Sequence, residues 1–233
     1  MSIKIMSFNT QHCRNFISKR IDFEAVAKAI TDLGADIVGL NEIRGQGEHP
    51  EYTAQTETLA SLTGMKYYYF AKALNLKEGL YGNAILSKIP IIKAETVMIP
   101  DPEPRKYKRY YETRCVLKVE LEGGLNVLVT HFGLNPDEQE NAVKTVLRNV
   151  SAEKCVLMGD FNVTPESELL DPIRKAMKDS ADSFKIPLLS FPSGIPDRKI
   201  DYIFVSNDIE IAGADIPPVV VSDHRPYTVE LNI

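Results

Sequence analysis

The chain is poor in the features that would place it in several large classes at once. Its three cysteines, Cys13, Cys115 and Cys155, are odd in number and widely spaced, with no Cys-x-x-Cys pair. That pattern argues against both a disulfide framework and a zinc site, and it points to a reducing compartment. No apolar run approaches the roughly 20 residues needed to cross a bilayer. The N-terminus, Met1 to Phe8, lacks the long apolar core of a secretory signal. Positive charge is also scarce: 27 Lys and Arg face 32 Asp and Glu, giving a formal net charge of -5. An enzyme that wraps a long duplex needs clustered cations, so the balance argues against that class while allowing a local basic patch. There is no Gly/Ser/Pro linker, repeat or low-complexity tract. The expectation is a cytoplasmic protein with one domain over residues 1–233 and no membrane span.

What is present is ordinary for a globular protein with a substantial core: 44% hydrophobic and 25% charged residues. The most informative stretch is Cys155-Val156-Leu157-Met158-Gly159-Asp160-Phe161-Asn162, a buried strand by its apolar run, ending in Gly, Asp and Asn. An isolated Asp-x-Asn is usually an Asx turn closing a strand. Here it has company. Ile3 to Phe8 reads as a strand stopping at Asn9. Asp22 caps a helix whose apolar positions Phe23, Val26, Ala27, Ile30 and Leu33 keep helical spacing, with Gly34 ending it. Asp36 to Leu40 is again a buried strand, followed at once by Asn41-Glu42.

Ala54 to Thr63 reads as a short helix closed by Gly64, and Lys66 to Phe70 as an aromatic strand. Gly82 to Ser87 and Ile91 to Ile99 read as adjacent strands turned at Pro90. Arg114 to Leu121 and Leu125 to Thr130, joined by Gly123-Gly124, form a hairpin ending at His131. Asn135-Pro136 opens a helix with an acidic first turn and a basic last one. Glu166 to Lys178 reads as a helix with a weak point at Pro172. Ile200 to Val205, Ile209 to Ala212 and Tyr227 to Ile233 complete the strands, with Ser222-Asp223-His224-Arg225-Pro226 just before the last. Together β-α-β units and hairpins predict an α+β fold of two mostly antiparallel sheets packed face to face and covered by helices.

Asn9, Glu42, His131, Asp160, Asn162, Asp201, Asp223 and His224 each sit at the edge of a predicted strand, where antiparallel sheets can bring them to one rim. The motifs Ser7-Phe8-Asn9, Leu40-Asn41-Glu42, Thr130-His131, Gly159-Asp160-Phe161-Asn162, Ile200-Asp201-Tyr202-Ile203 and Ser222-Asp223-His224-Arg225-Pro226 resemble the successive motifs of the endonuclease/exonuclease/phosphatase superfamily. That superfamily includes the deoxyribonuclease I-like nucleases, neutral sphingomyelinases and inositol-polyphosphate 5-phosphatases. The resemblance runs in order over nearly the whole chain. It implies a four-layer αββα sandwich and divalent-metal-dependent cleavage of phosphate esters, with Mg²⁺ as cofactor and Mn²⁺ able to substitute. One departure is Asn41, where many members carry Gln before the metal-binding Glu.

By the resemblance Glu42 is the principal metal ligand, with Asn9 and Asp223 nearby; the oxygen-rich set suits a hard cation. Asp201 accepts a hydrogen bond from His224 and fixes its tautomer. Either Asp160 or His224 could take the proton of the attacking water; we assign that role to Asp160 and electrostatic stabilisation to His224, with Asn162 a neutral donor to Asp160 or to a phosphoryl oxygen. His131 resembles the family's second histidine and would act on the leaving side. Asn83 falls where members place a residue near that histidine, or else is a turn asparagine starting a strand. Arg114 is expected to face phosphate. The basic and aromatic run Arg105-Lys106-Tyr107-Lys108-Arg109-Tyr110-Tyr111 either grips substrate or forms a solvated loop. The expected partner is a phosphate ester, a diester more than a monoester, as a small molecule or short nucleic acid; no protein partner is implied. A nuclease acting on short or single-stranded DNA or RNA and a non-catalytic binding module on the same fold are the alternatives.

Overall fold

A computed structural model describes residues 2–182 and 188–233. The first sheet takes β1 (Ser2–Asn9), β2 (Ile37–Arg44), β3 (Tyr67–Asn75), β4 (Leu80–Ser87), β11 (Glu210–Asp215) and β12 (Tyr227–Asn232), in the order β11-β12-β1-β2-β4-β3. The second takes β5 (Ile91–Met98), β6 (Cys115–Leu121), β7 (Asn126–His131), β8 (Cys155–Asp160), β9 (Lys178–Asp179) and β10 (Asp201–Val205), in the order β5-β6-β7-β8-β10-β9. β1 with β2 and β7 with β8 run parallel, and the other pairs are antiparallel.

Strand alternation divides the core into three. Ile3 and Ile5 of β1, Val127 and Val129 of β7, Val156 and Met158 of β8, and Ile203 and Val205 of β10 meet between the sheets. Their neighbours in sequence point the other way. Met6 and Phe8 lie under α1 (Phe23–Asp32) and α2 (Gln55–Thr63), against Val26, Ile30 and Leu59. Leu157, Tyr202 and Phe204 lie under α3 (Pro136–Asn149) and α4 (Asp171–Ala176), against Val143, Val146 and Ile173. The result is the expected four layers, helix, sheet, sheet, helix. Helix ends follow their sequence signals. Asp22 accepts from the Ala25 N–H at 3.0 Å, and Gly64 ends α2 in the left-handed region that only glycine adopts freely.

Two expectations are corrected. Gly82 to Ser87 and Ile91 to Ile99 are not neighbours. β4 is flanked on both edges by β2 and β3, so no free edge remains for β5, which pairs with β6 as the edge of the other sheet. The helix drawn over Glu166 to Lys178 is a 3-10 turn at Glu168–Leu170 followed by α4. Pro172 lies in the first turn of α4 rather than interrupting a longer helix, because a residue without an N–H costs nothing where that N–H has no intrahelical partner.

Candidate active site

The alternation that fills the inter-sheet core also delivers its polar ends. Asn9 continues the inward row of Ile3 and Ile5, His131 that of Val127 and Val129, Asp160 that of Val156 and Met158. β10 runs opposite to β8 and starts with its inward residue, Asp201. Register then aligns them: Asn9 is paired with Asn41, His131 with Asp160, and Asp201 with Asp160. Tyr227 at the start of β12 pairs with Ser7, which sets the Asp223-His224 loop above the end of β1.

Three backbone features refine the placement. Glu42 has φ +58° where the β2–β4 register shifts between Leu40 and Ile43, a bulge that takes its side chain out of the strand alternation. At Gly159, φ is +144° and a Cβ would stand 1.8 Å from the Thr130 carbonyl oxygen. Glycine alone therefore lets β8 approach β7 closely enough for Asp160 to meet His131. Residues Gln11, His12 and Cys13 form a left-handed turn directly after Asn9, with φ of +48°, +60° and +60°.

Asp160 is the meeting point. One carboxylate oxygen accepts from the Asn162 backbone N–H at 2.9 Å. The other accepts from Asn9 Nδ2 at 3.1 Å and faces His131 Nε2 at 3.4 Å and His224 Nε2 at 3.6 Å. Asp160, Asp201, His131 and His224 are 2%, 1%, 4% and 4% exposed, so these contacts are barely screened by water. Burial pushes the Asp160 carboxyl up to about 7; His224 opposes the rise and Asp201 adds to it. Burial by itself lowers the His224 imidazole, but the carboxylates of Asp201 and Asp160 outweigh it and lift the group to about 10. His224 is therefore an imidazolium at neutral pH, donating from Nδ1 to Asp201 Oδ2 at 2.8 Å. Asp160, Asp201 and His224 place ligand atoms within 4.8 Å of one another. That buried grouping is one that could hold a metal ion.

His131 is the opposite case. Burial, then the nearby Arg114 and His224 charges, hold it well below its ordinary range. Arg114 Nη1 lies 2.8 Å from His131 Nδ1, and a guanidinium only donates. Nε2 faces Asp160 Oδ2 at 3.4 Å and the Asn162 amide nitrogen at 3.2 Å. Arg114 also bonds the Tyr81 hydroxyl at 3.1 Å and meets Glu112 at 2.8 Å.

The predicted residues fall into three groups. Asn9, Glu42, Asp160, Asp201, His131, His224 and Asn162 converge, and Arg114 joins through His131. Asn9 Nδ2 also donates to Glu42 Oε1 at 3.1 Å. Asp223 enters through Gln11, whose Nε2 donates to Asp223 Oδ2 at 2.9 Å. The Asn162 side chain binds the Phe132 carbonyl at 3.0 Å, so its donor to Asp160 is the backbone N–H. Asn83 is buried: its amide oxygen accepts from Asn41 at 2.8 Å and its nitrogen donates to the Cys115 carbonyl at 2.9 Å. Arg105 and Arg109 lie on an exposed loop, where Arg105 stacks on Tyr111 and Arg109 reaches the Leu134 carbonyl. That loop is tied to α3 by the Tyr111 hydroxyl, which donates to Asp137.

Sequence reasoning missed Gln11, His12, Tyr81 and the bridging role of Asn41. Asn41 Nδ2 donates to the Thr130 carbonyl at 2.9 Å, and its Oδ1 accepts from the Asp160 N–H at 3.0 Å, lacing the two sheets together. His12 Nδ1 is 3.0 Å from the Glu42 carbonyl. Burial lowers its pKa, with Glu42 opposing that shift. The polar run Thr10-Gln11-His12 directly after Asn9 was the one available signal.

Two six-stranded sheets with helices on both outer faces, and a buried Asp-His-Asp cluster where the sheets meet, define a deoxyribonuclease I-like fold with a phosphoesterase- or nuclease-type site. The profile of the Endonuclease/Exonuclease/phosphatase family matches residues 6–224, and the chain belongs to that family. It is similar to protein YbhP of Escherichia coli K12, 25% identical over 254 aligned positions that cover 100% of this chain and 97% of YbhP. Among solved structures, a family member from Beutenbergia cavernae superposes with a TM-score of 0.82 at 21% identity, covering 100% of this chain and 72% of that one. The mannosyl-6-phosphatase Bt3783 of Bacteroides thetaiotaomicron superposes with a TM-score of 0.78 at 16% identity, covering 99% and 100%. Among the described residues no helix is long and apolar enough to cross a membrane.

Proposed function

We propose that the chain is a divalent-metal-dependent phosphoesterase that hydrolyses a phosphodiester, as a small molecule or short nucleic acid, by in-line attack of water. The observation that carries this reading is the convergence on Asp160 of a neutral histidine, a charged histidine and an asparagine amide from both sheets. The residues fit a hard cation. Among the described residues Glu42 Oε2 accepts no hydrogen bond and faces His12 Nε2 at 3.6 Å, Asn9 presents its amide to Glu42 Oε1, and Asp223 adds a second carboxylate through Gln11. Glu42, with Asn9 and Asp223, would hold Mg²⁺ or Mn²⁺, which when bound neutralises phosphate charge and polarises the phosphorus centre.

The protein's own groups do the rest. Asp160, held on both oxygens, orients the attacking water and takes its proton. His224, kept charged by Asp201, donates from Nε2 toward the equatorial phosphoryl oxygens, where negative charge builds up in the transition state. His131, with Arg114 behind it, serves the leaving side. The exposed cations of the Arg105–Arg109 loop are the further groups suited to contact an anionic ester. The three cysteines are free and buried, which supports a cytoplasmic setting.

The test is hydrolysis of a bis-aryl phosphodiester alongside the aryl monoester, with Mg²⁺ or Mn²⁺. Including the monoester matters because Bt3783 bears a phosphatase name. Turnover should vanish with chelator and in Glu42→Ala. Metal-independent turnover, or full activity in Glu42→Ala, would refute the reading; binding of ester without cleavage would favour a non-catalytic module.

A further inference from the structure

We infer that His12 is a nitrogen ligand, through Nε2, to the ion that Glu42 holds, and that it biases the site toward Mn²⁺ over Mg²⁺. The inference rests on the metal-dependent reading above and adds a donor of a different kind to its oxygen set.

The starting point is the His12 tautomer. Nδ1 lies 3.0 Å from the Glu42 main-chain carbonyl, and a carbonyl only accepts, so Nδ1 carries the proton. In the neutral ring Nε2 is then a bare lone pair. It points at Glu42 Oε2 across 3.6 Å, while the other Glu42 oxygen is occupied by Asn9. That separation is too long for a hydrogen bond and leaves both atoms able to ligate one ion between them.

Aromatic rings and a guanidinium hold the imidazole in this orientation. Tyr52 and Tyr81 set their rings edge-on against His12 at 5.9 and 5.7 Å, and the Arg44 guanidinium lies over the same two rings at 4.7 and 4.8 Å. Arg44 has two buried nitrogens, Nε and Nη1, with no hydrogen-bond partner, so its charge is not neutralised by a carboxylate at those atoms.

The backbone is built for this orientation. Three consecutive non-glycine residues in left-handed conformation are costly, on the order of 1 kcal/mol each, and persist only where several contacts hold them. Four do: Gln11 N–H to Asn9 Oδ1 at 3.1 Å, Gln11 Nε2 to Asp223 Oδ2 at 2.9 Å, His12 Nδ1 to Glu42, and Gln55 Nε2 to the His12 carbonyl at 2.9 Å. Two of those contacts end on proposed ion ligands and a third on the Glu42 backbone. A hollow of about 320 Å³ lined by Gln11, His12, Glu42 and Tyr52 opens onto the Nε2–Oε2 gap and gives an ion a route in. Imidazole nitrogen suits first-row transition ions, whereas Mg²⁺ prefers oxygen, hence the expected bias.

The experiment loads the full chain with Mn²⁺ alone and reads nitrogen hyperfine coupling by pulsed electron paramagnetic resonance. The wild type should show imidazole ¹⁴N coupling that disappears in His12→Ala and survives in His131→Ala and His224→Ala. By calorimetry, His12→Gln should weaken Mn²⁺ binding about 10-fold or more while changing Mg²⁺ binding less than about 3-fold. His12→Gln retains a polar side chain of similar length, and its circular dichroism melt checks that the turn still folds. Mn²⁺ binding that needs Glu42 but shows no coupling lost in His12→Ala would overturn the inference and leave the metal reading standing. Mn²⁺ binding indifferent to Glu42→Ala would overturn both.

Discussion

At the scale of single residues, the site separates two histidines by environment. Both are buried to the same degree, yet His224 faces two carboxylates and is charged, while His131 faces a guanidinium and is neutral. The pH dependence follows with a definite sign. In the proposed mechanism Asp160 must be ionised to take a proton, so turnover should rise as pH climbs through about 7. His224 must remain charged, so turnover falls as pH passes about 10. Asp201→Asn removes the carboxylate that does most to lift His224, and the alkaline limb should move toward neutral pH; an unmoved limb in the kcat profile would contradict the pairing. Asp160→Asn and His224→Ala should each lower kcat by about 10²- to 10³-fold with unchanged melting curves, the usual cost of removing one preorganised stabiliser. The sequence made these residues visible as a set because each is a polar group at the end of an apolar run. It could not distinguish the two histidines, whose protonation depends on neighbours 17 to 93 positions away.

At the scale of elements, two glycines and an asparagine hold the sheets at the distance the chemistry needs. Gly159 brings β8 against β7, Gly39 leaves room for Met158 from the opposite sheet, and Asn41 ties Thr130 and Asp160 to β2. Gly159→Ala places a methyl group on the Thr130 carbonyl at a φ that side chains avoid. It should destabilise the fold by more than about 3 kcal/mol, read as a drop in denaturant midpoint at constant slope. Helix caps and turn glycines were legible because their signals are local. The pairing of β5 was not: the strand after Pro90 reads as the neighbour of the one before it until both edges of β4 are seen to be occupied. The basic loop shows the same limit. Its composition suggested contact with substrate, while its anchoring through Tyr111 and Asp137 to α3 is a tertiary fact.

At the scale of the whole molecule, the proposed ligands for one ion come from β1, the β2 bulge and the loop before β12, so occupancy should couple to global stability. With Mn²⁺ at about 100 times its dissociation constant, unfolding free energy should rise by about 2.7 kcal/mol, and Glu42→Ala should abolish the increment in a thermal melt. An equal increment in the variant would place the ion elsewhere. The sequence by itself determined the layer order and the family, because period-two alternation, helix spacing and six ordered motifs are properties of short segments. It also determined which polar residues terminate strands. Only the tertiary structure decided that Asn83 bonds Asn41 and the Cys115 carbonyl, that Asp223 meets Gln11, and that His12 faces Glu42. Those outcomes depend on register between distant strands, on a bulge at Glu42 and on a left-handed turn after Asn9, and a linear pattern carries no measure of the distances they set.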